Sequence, residues 1–288
     1  MPRDESVDER TLLPEWYARE KHLAHLLPYV SLVGDHTVRT RANELFQCLR
    51  LGGVNSTTTD DAYLDKLRAL FARIVAQLGP EFSYYVHKVS RGITPELGPV
   101  QGDGFAALVD LLWQSNLRSS GLRDKTLTLT VIHRPPEGSF RAFLNRSDPE
   151  RLARDTEKRL RRLGEAVGVF TSGLADLEPR LLSAASGELI GFLGALDTGQ
   201  ELPLYPAGEY GFLAWNIANT RVTFRDDHFE LSEGVVGHRC GKSFTIVEYS
   251  EQTRCTMFDM LNLPVDMIVT HSFTPLNSNL MAGRIKRQ

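Results

Sequence analysis

The stretch that decides the fold class is GKSFTIVEYSEQTRCTMFDMLNLPVDMIVTHSF, residues 241–273. Its first three residues resemble the end of a phosphate-binding loop, which needs four residues between its two glycines and a helix after the lysine. Only three residues separate Gly237 from Gly241. After Lys242 the apolar residues alternate from Phe244 onward, which is typical of a β-strand. The block therefore predicts a core strand in a mixed sheet and no nucleotide site.

The rest of the chain alternates strand and helix patterns. Bulky residues on both sides of 82–91 predict a central strand. The order of elements predicts an α+β fold with mixed, largely antiparallel sheets and packed helices, and it allows two subdomains. The predicted strands are 26–33, 37–40, 44–51, 82–91 and 127–134, and the predicted helices are 61–78, 106–117 and 149–172. Gly187 and Gly194 weaken a helix prediction for 185–196.

Composition shifts divide the chain into three predicted parts. Residues 1–25 are charged and polar and are expected to form a mobile N-terminal arm. Residues 26–200 form a first α+β subdomain that includes the long basic helix near 149–172. A loop rich in proline and glycine at 200–211 then leads into residues 201–288, where Asp226-Asp227 predicts the turn of a hairpin.

Composition excludes several classes of protein. The chain has 288 residues, 42% of them hydrophobic, which is enough for a large globular core. Its formal net charge of −3 argues against a general nucleic-acid binder. The three cysteines form no Cys-x-x-Cys pair, which indicates neither a zinc site nor a disulfide framework. This cysteine usage fits a reducing cytoplasm. No apolar run reaches the roughly 18 residues that a membrane span requires, so any work at a membrane is expected from outside the lipid.

Two features suggest contact with a partner. Trp16 and Tyr17 are the only large aromatic residues of the N-terminal arm, and they could dock on a partner or pack on their own domain. The long helix carries a run of basic residues beside a narrow apolar seam that starts at Leu152. That face could be solvated and laced with ion pairs, or it could bind an acidic partner or anionic headgroups. Its basic residues are Arg151, Arg154, Lys158, Arg159, Arg161 and Arg162.

The residues that could carry chemistry form no recognisable local site. His22 and His25 share a helical spacing, but no further metal ligand joins them. An enzyme would have to assemble its site from distant residues, such as His87, His133 and Asp226. No serine or cysteine nucleophile signature is present. Tyr84, Tyr85 and Trp113 occupy core-like positions, so they do not form an aromatic surface for nucleic acid. We therefore predict no catalytic, cofactor or metal-binding residue.

The order of segments nevertheless resembles a known family. LLPYVSLVGDHTVRTRANELFQCLRLGG, a helix capped by aspartate and FSYYVHKVSR resemble the start of the conjugation-type ATPases of type IV secretion systems, the VirB/TrbE/CagE group. The block at 241–273 is similar to the passage of strand, short helix, Leu-Pro and strand that precedes the motor domain of that family. The resemblance extends from about Leu26 to Arg287, and it rests on the order of several segments.

This resemblance carries expectations about function. It implies a non-catalytic N-terminal domain that links the motor to the inner-membrane complex, for substrate transfer and pilus assembly. ATP and Mg²⁺ would belong to a motor domain beyond this chain. The implied partners are inner-membrane secretion subunits and further copies of the parent ATPase, and the implied location is cytoplasmic, peripheral at the inner membrane. The alternatives are a free-standing regulatory protein that lost the motor, or an enzyme.

Overall fold

The computed structural model describes residues 23–54, 58–100, 102–135, 149–206, 212–232, 237–245 and 263–275. Helices α1 to α5 are Asp61–Leu78, Gly104–Ser119, Pro149–Gly173, Glu188–Thr198 and Leu213–Ile217. Strands β1 to β10 are Tyr29–Leu32, Val38–Thr40, Leu45–Leu51, Phe82–Gly92, Arg123–His133, Arg180–Leu181, Arg221–Phe224, Phe229–Ser232, Arg239–Gly241 and Met267–Phe273.

Seven of these strands form one sheet. Its order is β1-β2-β3-β5-β4-β10, and the short β6 pairs with β3 beyond the end of β2. Every pairing that the structure describes is antiparallel. Strand β4 lies between β5 and β10, which confirms the prediction of a central strand at 82–91. The α+β prediction is confirmed by this sheet and the helices that cover it.

One face of the sheet packs against α1 and α3. Asp60 caps α1 by accepting a hydrogen bond from the backbone N–H of Ala62, as the sequence predicts. The ring of Phe170 on α3 lies 5.4 Å from the ring of Tyr84 on β4, and Phe71 of α1 lies against the same phenylalanine. Because alternate strand residues point to the same face, the inward set on β3, β4 and β5 forms one apolar layer. That layer includes Leu45, Leu49, Phe82, Tyr84, Leu129 and Val131.

The opposite face packs against α4 and α5. Phe46, Cys48 and Ile132 of the sheet belong to the same core as Phe192 of α4 and Leu213 of α5. Helix α4 therefore precedes the predicted boundary at 200–211, and α5 follows it. Strand β10, from the predicted second part, completes the edge of the large sheet beside β4. The division into subdomains at this boundary stays a prediction.

A separate three-stranded sheet, β7-β8-β9, contains the predicted hairpin. Strands β7 and β8 pair from Arg221 with Ser232 to Phe224 with Phe229, so the turn falls at Asp226-Asp227 as predicted. Strand β9 ends at Gly241, and residues 242–245 form no strand. Phe244 is 88% exposed. The predicted core strand is therefore wrong over its described part, because the chain leaves the sheet at Gly241; residues 246–262 lie outside the described residues.

Candidate docking surfaces

Helix α3 is anchored to the body by a residue that the sequence places on its exposed basic face. Arg159 is buried, and its Nη2 donates to the backbone oxygen of Asn43 at 2.7 Å and to that of His133 at 3.4 Å. Burial lowers the pKa of this guanidinium, but its hydrogen bonds compensate for lost solvation. Arg159 is therefore a structural residue, and the prediction that it belongs to the basic surface is wrong.

The other basic residues of α3 are exposed. Three of them pair with glutamates, and Glu81 raises the pKa of Arg162 through a hydrogen bond. Exposed pairs of this kind contribute roughly 0–1 kcal/mol each. The surface is thus a mixed lattice of exposed positive and negative charges. The pairs are Arg154 Nη2 with Glu150 Oε2 at 3.8 Å, Arg161 Nη2 with Glu157 Oε1 at 3.8 Å, and Arg162 Nε with Glu81 Oε1 at 2.7 Å.

Residues 150–155, at the start of α3, are exposed, and Thr156 accepts a hydrogen bond from Arg39 of β2. Arg151 and Lys158 are exposed, and Leu152, which the sequence places in the apolar seam, is 41% exposed. The seam packs only from Leu160 onward, where Leu163, Val167 and Phe170 enter the core. A partner could therefore reach the free end of this helix. Trp16 and Tyr17 lie outside the described residues, so their role stays a prediction.

The Gly-Lys-Ser triplet has a packing explanation. A Cβ atom built on Gly241 would lie 2.3 Å from the ring of Phe229, its partner on β8, so this ring packs over the space that a side chain at 241 would fill. The ammonium of Lys242 lies 2.8 Å from Asp227 Oδ2 in the adjacent turn. Both residues thus have local partners within the small sheet.

We expect Lys242→Ala to leave nucleotide binding unchanged, because the ammonium of Lys242 pairs with Asp227 in the turn between β7 and β8. The isolated chain should show no saturable ATP binding in calorimetry, before or after the substitution. Tight binding that disappears in Lys242→Ala would contradict this prediction.

The three residues of the enzyme alternative do not converge. His87 lies on the α4 face of the sheet, against the ring of Phe192, with its Nδ1 at 2.9 Å from Thr270 Oγ1. His133 lies on the α3 face, where its ring contacts Phe82. Asp226 lies in the turn of the small sheet. Each histidine thus has a packing role, and the three side chains do not face a common site.

His25, one of the two histidines at helical spacing, packs against an aromatic ring. His25 packs edge-on against Trp215, with 5.5 Å between ring centroids, and His22 lies outside the described residues. Within the described ranges, no group of three or more histidine, cysteine or acidic side chains is arranged to hold a metal ion.

Helix α2 is the surface that sequence reasoning missed. Trp113 is 61% exposed, so the prediction of a core-like position for it is wrong. The one buried residue of α2, Gln114, is polar, and its Nε2 donates to Gly98 O at 3.1 Å and to Asp110 Oδ2 at 3.2 Å. The available signal was the pair Asp110 and Gln114, on the side of α2 opposite the apolar stripe formed by Phe105, Leu108, Val109, Leu112 and Trp113. A helix with such a pattern normally packs its apolar side against the core. The sequence alone therefore predicts an orientation of α2 opposite to the one observed.

Two family models match separate parts of the chain. Residues 36–140 match the family of type IV secretion system ATPase VirB4/TrbE N-terminal domains. Residues 177–288 match the CagE, TrbE, VirB family, a component of the type IV transporter system. The chain belongs to the VirB4/TrbE family of type IV secretion ATPases, as an N-terminal domain. The first match covers β3, α1, β4 and β5, and the second covers α4 and the small sheet.

Individual relatives support this VirB4/TrbE membership. The type IV secretion system proteins virB4 of Brucella abortus, Brucella melitensis and Brucella suis are each 26% identical to this chain over 226 residues. The alignment covers 70% of this chain and 27% of each relative. The chain thus spans about a quarter of the length of the curated relatives it matches. In the described part of this VirB4/TrbE domain, no helix is both long enough and apolar enough to cross a bilayer.

Proposed function

We propose that this chain is the assembly domain of a type IV secretion ATPase, and that it docks the motor on the inner-membrane complex for substrate transfer and pilus assembly. The observation that carries the proposal is the pair of family matches, which between them cover every strand of the large sheet except β1 and all of helices α1 to α5 except α3. The first of these families is defined by the N-terminal domain of the ATPase. A non-catalytic role agrees with the separation of His87, His133 and Asp226.

The proposal places nucleotide chemistry outside this chain. ATP and Mg²⁺ are expected in the remaining length of the parent protein, because the curated relatives are much longer than the aligned region. The domain itself would work at the cytoplasmic side of the inner membrane, held there by secretion subunits. Copies of the parent ATPase would associate with one another at the same place.

The direct test is recovery with membrane subunits. The parent protein, tagged at its N-terminus, is produced with and without the inner-membrane subunits of its own secretion system. We expect it to move into the membrane fraction only when those subunits are present, and to be recovered with them after detergent extraction. An identical distribution in both strains would overturn the docking role. Reading the gene beyond codon 288 tests the motor, since a Gly-x-x-x-x-Gly-Lys-Ser/Thr sequence is expected there.

The basic end of α3 gives a more local prediction. Reversing Lys158, Arg161 and Arg162 to glutamate should weaken association with the membrane complex, or with anionic liposomes, by about tenfold or more at low salt. Each reversal removes a cation and leaves an anion beside existing glutamates. Raising the salt concentration should abolish the difference between variant and wild type. A matched control is Arg68→Glu on α1, which is also exposed and paired with a nearby acid. Unchanged binding after the triple reversal would leave α3 as a solvated face.

A further inference from the structure

Five donor atoms in one patch of the large sheet are buried and lack a hydrogen-bond partner. The patch lies on the face that packs against α4, where the guanidinium carbon of Arg50 is 5.5 Å from the centre of the Phe192 ring. Nine buried side-chain nitrogen and oxygen atoms have no partner in the described part of the chain, and five of them belong to this patch. Because folded proteins pair roughly 90% or more of such groups, this concentration indicates a site for an ion or for water. The five atoms are Arg50 Nη1, Arg91 Nε, Arg91 Nη2, Thr126 Oγ1 and Thr128 Oγ1.

The strand register brings these four residues together. Thr128 of β5 pairs with Arg50 of β3. Thr126 lies two residues away along β5, and Arg91 of β4 pairs with the position two residues further on. Because alternate residues of a strand share a face, both threonines lie on the side of the sheet that Arg50 and α4 occupy. The patch therefore extends across three adjacent strands.

The charges of the patch do not balance. Arg50 Nη2 is paired with Glu201 Oε1, and both side chains are mostly buried. Burial lowers the pKa of Arg91, while Glu201 raises it and Arg50 lowers it further, so these three charges lie near one another. Asp124 and Asp266 act on Arg91 more weakly, since Asp124 is exposed and Asp266 is already paired with another arginine. Among the described residues, one buried carboxylate thus faces two guanidinium groups, and an uncompensated buried charge is costly.

The chemistry of the unpaired atoms selects an anion. A guanidinium group donates hydrogen bonds and accepts none, so these arginine atoms cannot bind a cation. Nε and Nη2 of Arg91 lie on one edge of the guanidinium, and such a pair of parallel donors matches two oxygens of a single anion. Arg50 Nη1 and the two threonine hydroxyls add donors from other strands. Donors that converge from several directions suit a tetrahedral ion better than a planar carboxylate.

We propose that Arg50, Arg91, Thr126 and Thr128 form a binding site for a small tetrahedral oxyanion such as phosphate or sulfate. Two oxygens of the ion accept from Arg91, and the others accept from Arg50 and the threonine hydroxyls. The side chains of Arg50 and Glu201 are 15% and 22% exposed, so the patch lies at the rim of the core. A free ion can enter beside Glu201, whereas a nucleotide would have to displace the segment that follows α4. The ion holds β3, β5 and β4 together at this end of the sheet.

Thermal unfolding of the full chain tests the site. Sodium phosphate is added at constant ionic strength and compared with sodium chloride. With a dissociation constant on the order of 1 mM, about 20 mM phosphate should raise the melting temperature of wild type by about 5 °C. Phosphate also stabilises proteins by exclusion from their surface, but every variant shares that effect. The difference between wild type and a variant therefore isolates the site.

Two substitutions remove donors with little change of shape. Thr128→Val replaces the hydroxyl of a fully buried side chain with a methyl group, and Arg91→Lys keeps the charge but loses the paired donors. Each should weaken phosphate binding by about tenfold, which reduces the rise in melting temperature to about a third of that of wild type. The matched control is Thr130→Val, at the next position of β5 on the same face, where the hydroxyl lies 3.4 Å from Cys48 Sγ. This control should respond to phosphate as wild type does.

The melting temperatures in chloride distinguish a ligand site from a structural hydrogen bond. Thr128 Oγ1 has no partner, so Thr128→Val should melt at least as high as wild type when phosphate is absent. Adding phosphate should then favour wild type over Thr128→Val. Circular dichroism at low temperature should match among all the variants. A phosphate response of the same size in wild type, Thr128→Val and Arg91→Lys would overturn the proposal, as would the lack of any response in wild type.

Phosphorus NMR detects the ion directly and identifies its source. The resonance of inorganic phosphate should broaden when wild type is added, and it should broaden much less with Arg91→Lys. Sulfate should compete for the site, whereas ATP should not, because the segment after α4 excludes a nucleoside. Competition by ATP as strong as that by sulfate would assign the patch to a nucleotide and overturn the proposal of a free ion. The membrane subunits take no part in these measurements, so the oxyanion site and the docking role can fail independently.

Discussion

Replacing Gly191 with alanine is expected to destabilise the protein by about 3 kcal/mol or more, a large fraction of a typical domain's stability. A Cβ atom at this position of α4 would lie 2.2 Å from the backbone oxygen of Leu202 and 3.1 Å from its carbonyl carbon. Backbone cannot move aside as the end of a flexible side chain can. To avoid this clash, residues 201–206 would have to move away from α4. The hydrogen bond from Leu204 N to Gly187 O would then be lost.

The matched control is Gly168→Ala on α3, where a Cβ atom would meet nothing within 4 Å. Alanine is the better helix former, so this substitution should stabilise by about 0.5–1 kcal/mol. Urea unfolding followed by circular dichroism measures both variants, and the midpoints should move in opposite directions. If Gly191→Ala unfolds at the same midpoint as Gly168→Ala, the close approach of 201–206 to α4 is not present in solution.

These glycines show where sequence reasoning stops. Gly187, Gly191 and Gly194 recur at steps of four and three, and they line the side of α4 on which residues 202–205 lie. From the sequence alone, glycines at 187 and 194 argue against a helix, because glycine is a poor helix former. The reason for them is a tertiary contact with a segment beyond the helix end. No local rule predicts that contact, whereas an alternating pattern already predicts β4 and its central place in the sheet.

The sequence likewise predicts some features of the candidate surfaces on α3 and α2 and misses others. The length and basic character of α3 follow from composition and periodicity, and the structure confirms the helix. The burial of Arg159 does not follow, because an arginine beside other basic residues is most simply read as solvated. Its position depends on two backbone oxygens from other parts of the fold. One belongs to Asn43, between β2 and β3, and the other to His133, at the end of β5. The outward stripe of α2 depends likewise on which side of the helix meets the loop at Gly98.

The contribution of His87 to the free energy of unfolding is expected to fall by about 2 kcal/mol as the pH falls from 7 to 5. His87 is only 5% exposed, and burial lowers its pKa from 6.5 to about 4. Between these values the unfolded chain binds a proton at this residue and the folded chain does not. Unfolding is therefore increasingly favoured as the pH falls through this window. The effect is absent above the unfolded pKa and complete below the folded pKa.

Asp197 on α4 opposes this effect in the wild-type protein. Burial raises the pKa of its carboxyl group from 3.8 to about 6, and no hydrogen-bond partner reaches its Oδ2 among the described residues. The folded chain binds the proton first at this residue, so acidification from pH 6 towards pH 4 stabilises the fold. Between pH 6 and pH 5 the gain is about 1 kcal/mol. The wild-type profile should thus be flatter than His87 alone predicts.

The difference in unfolding free energy between each variant and wild type separates the contributions of His87 and Asp197. All other titrating residues contribute equally to both proteins, so their contributions cancel. His87→Gln can keep a hydrogen bond to Thr270 but has no charge to acquire. Its loss of stability relative to wild type should shrink by about 2 kcal/mol from pH 7 to pH 5. Asp197→Asn removes the carboxylate, so its gain over wild type should be greatest at pH 7 and should shrink by about 1 kcal/mol by pH 5. Urea unfolding at four pH values measures both. A difference between His87→Gln and wild type that stays constant with pH would show that this imidazole is solvated in the folded protein and that the sheet below α4 is open.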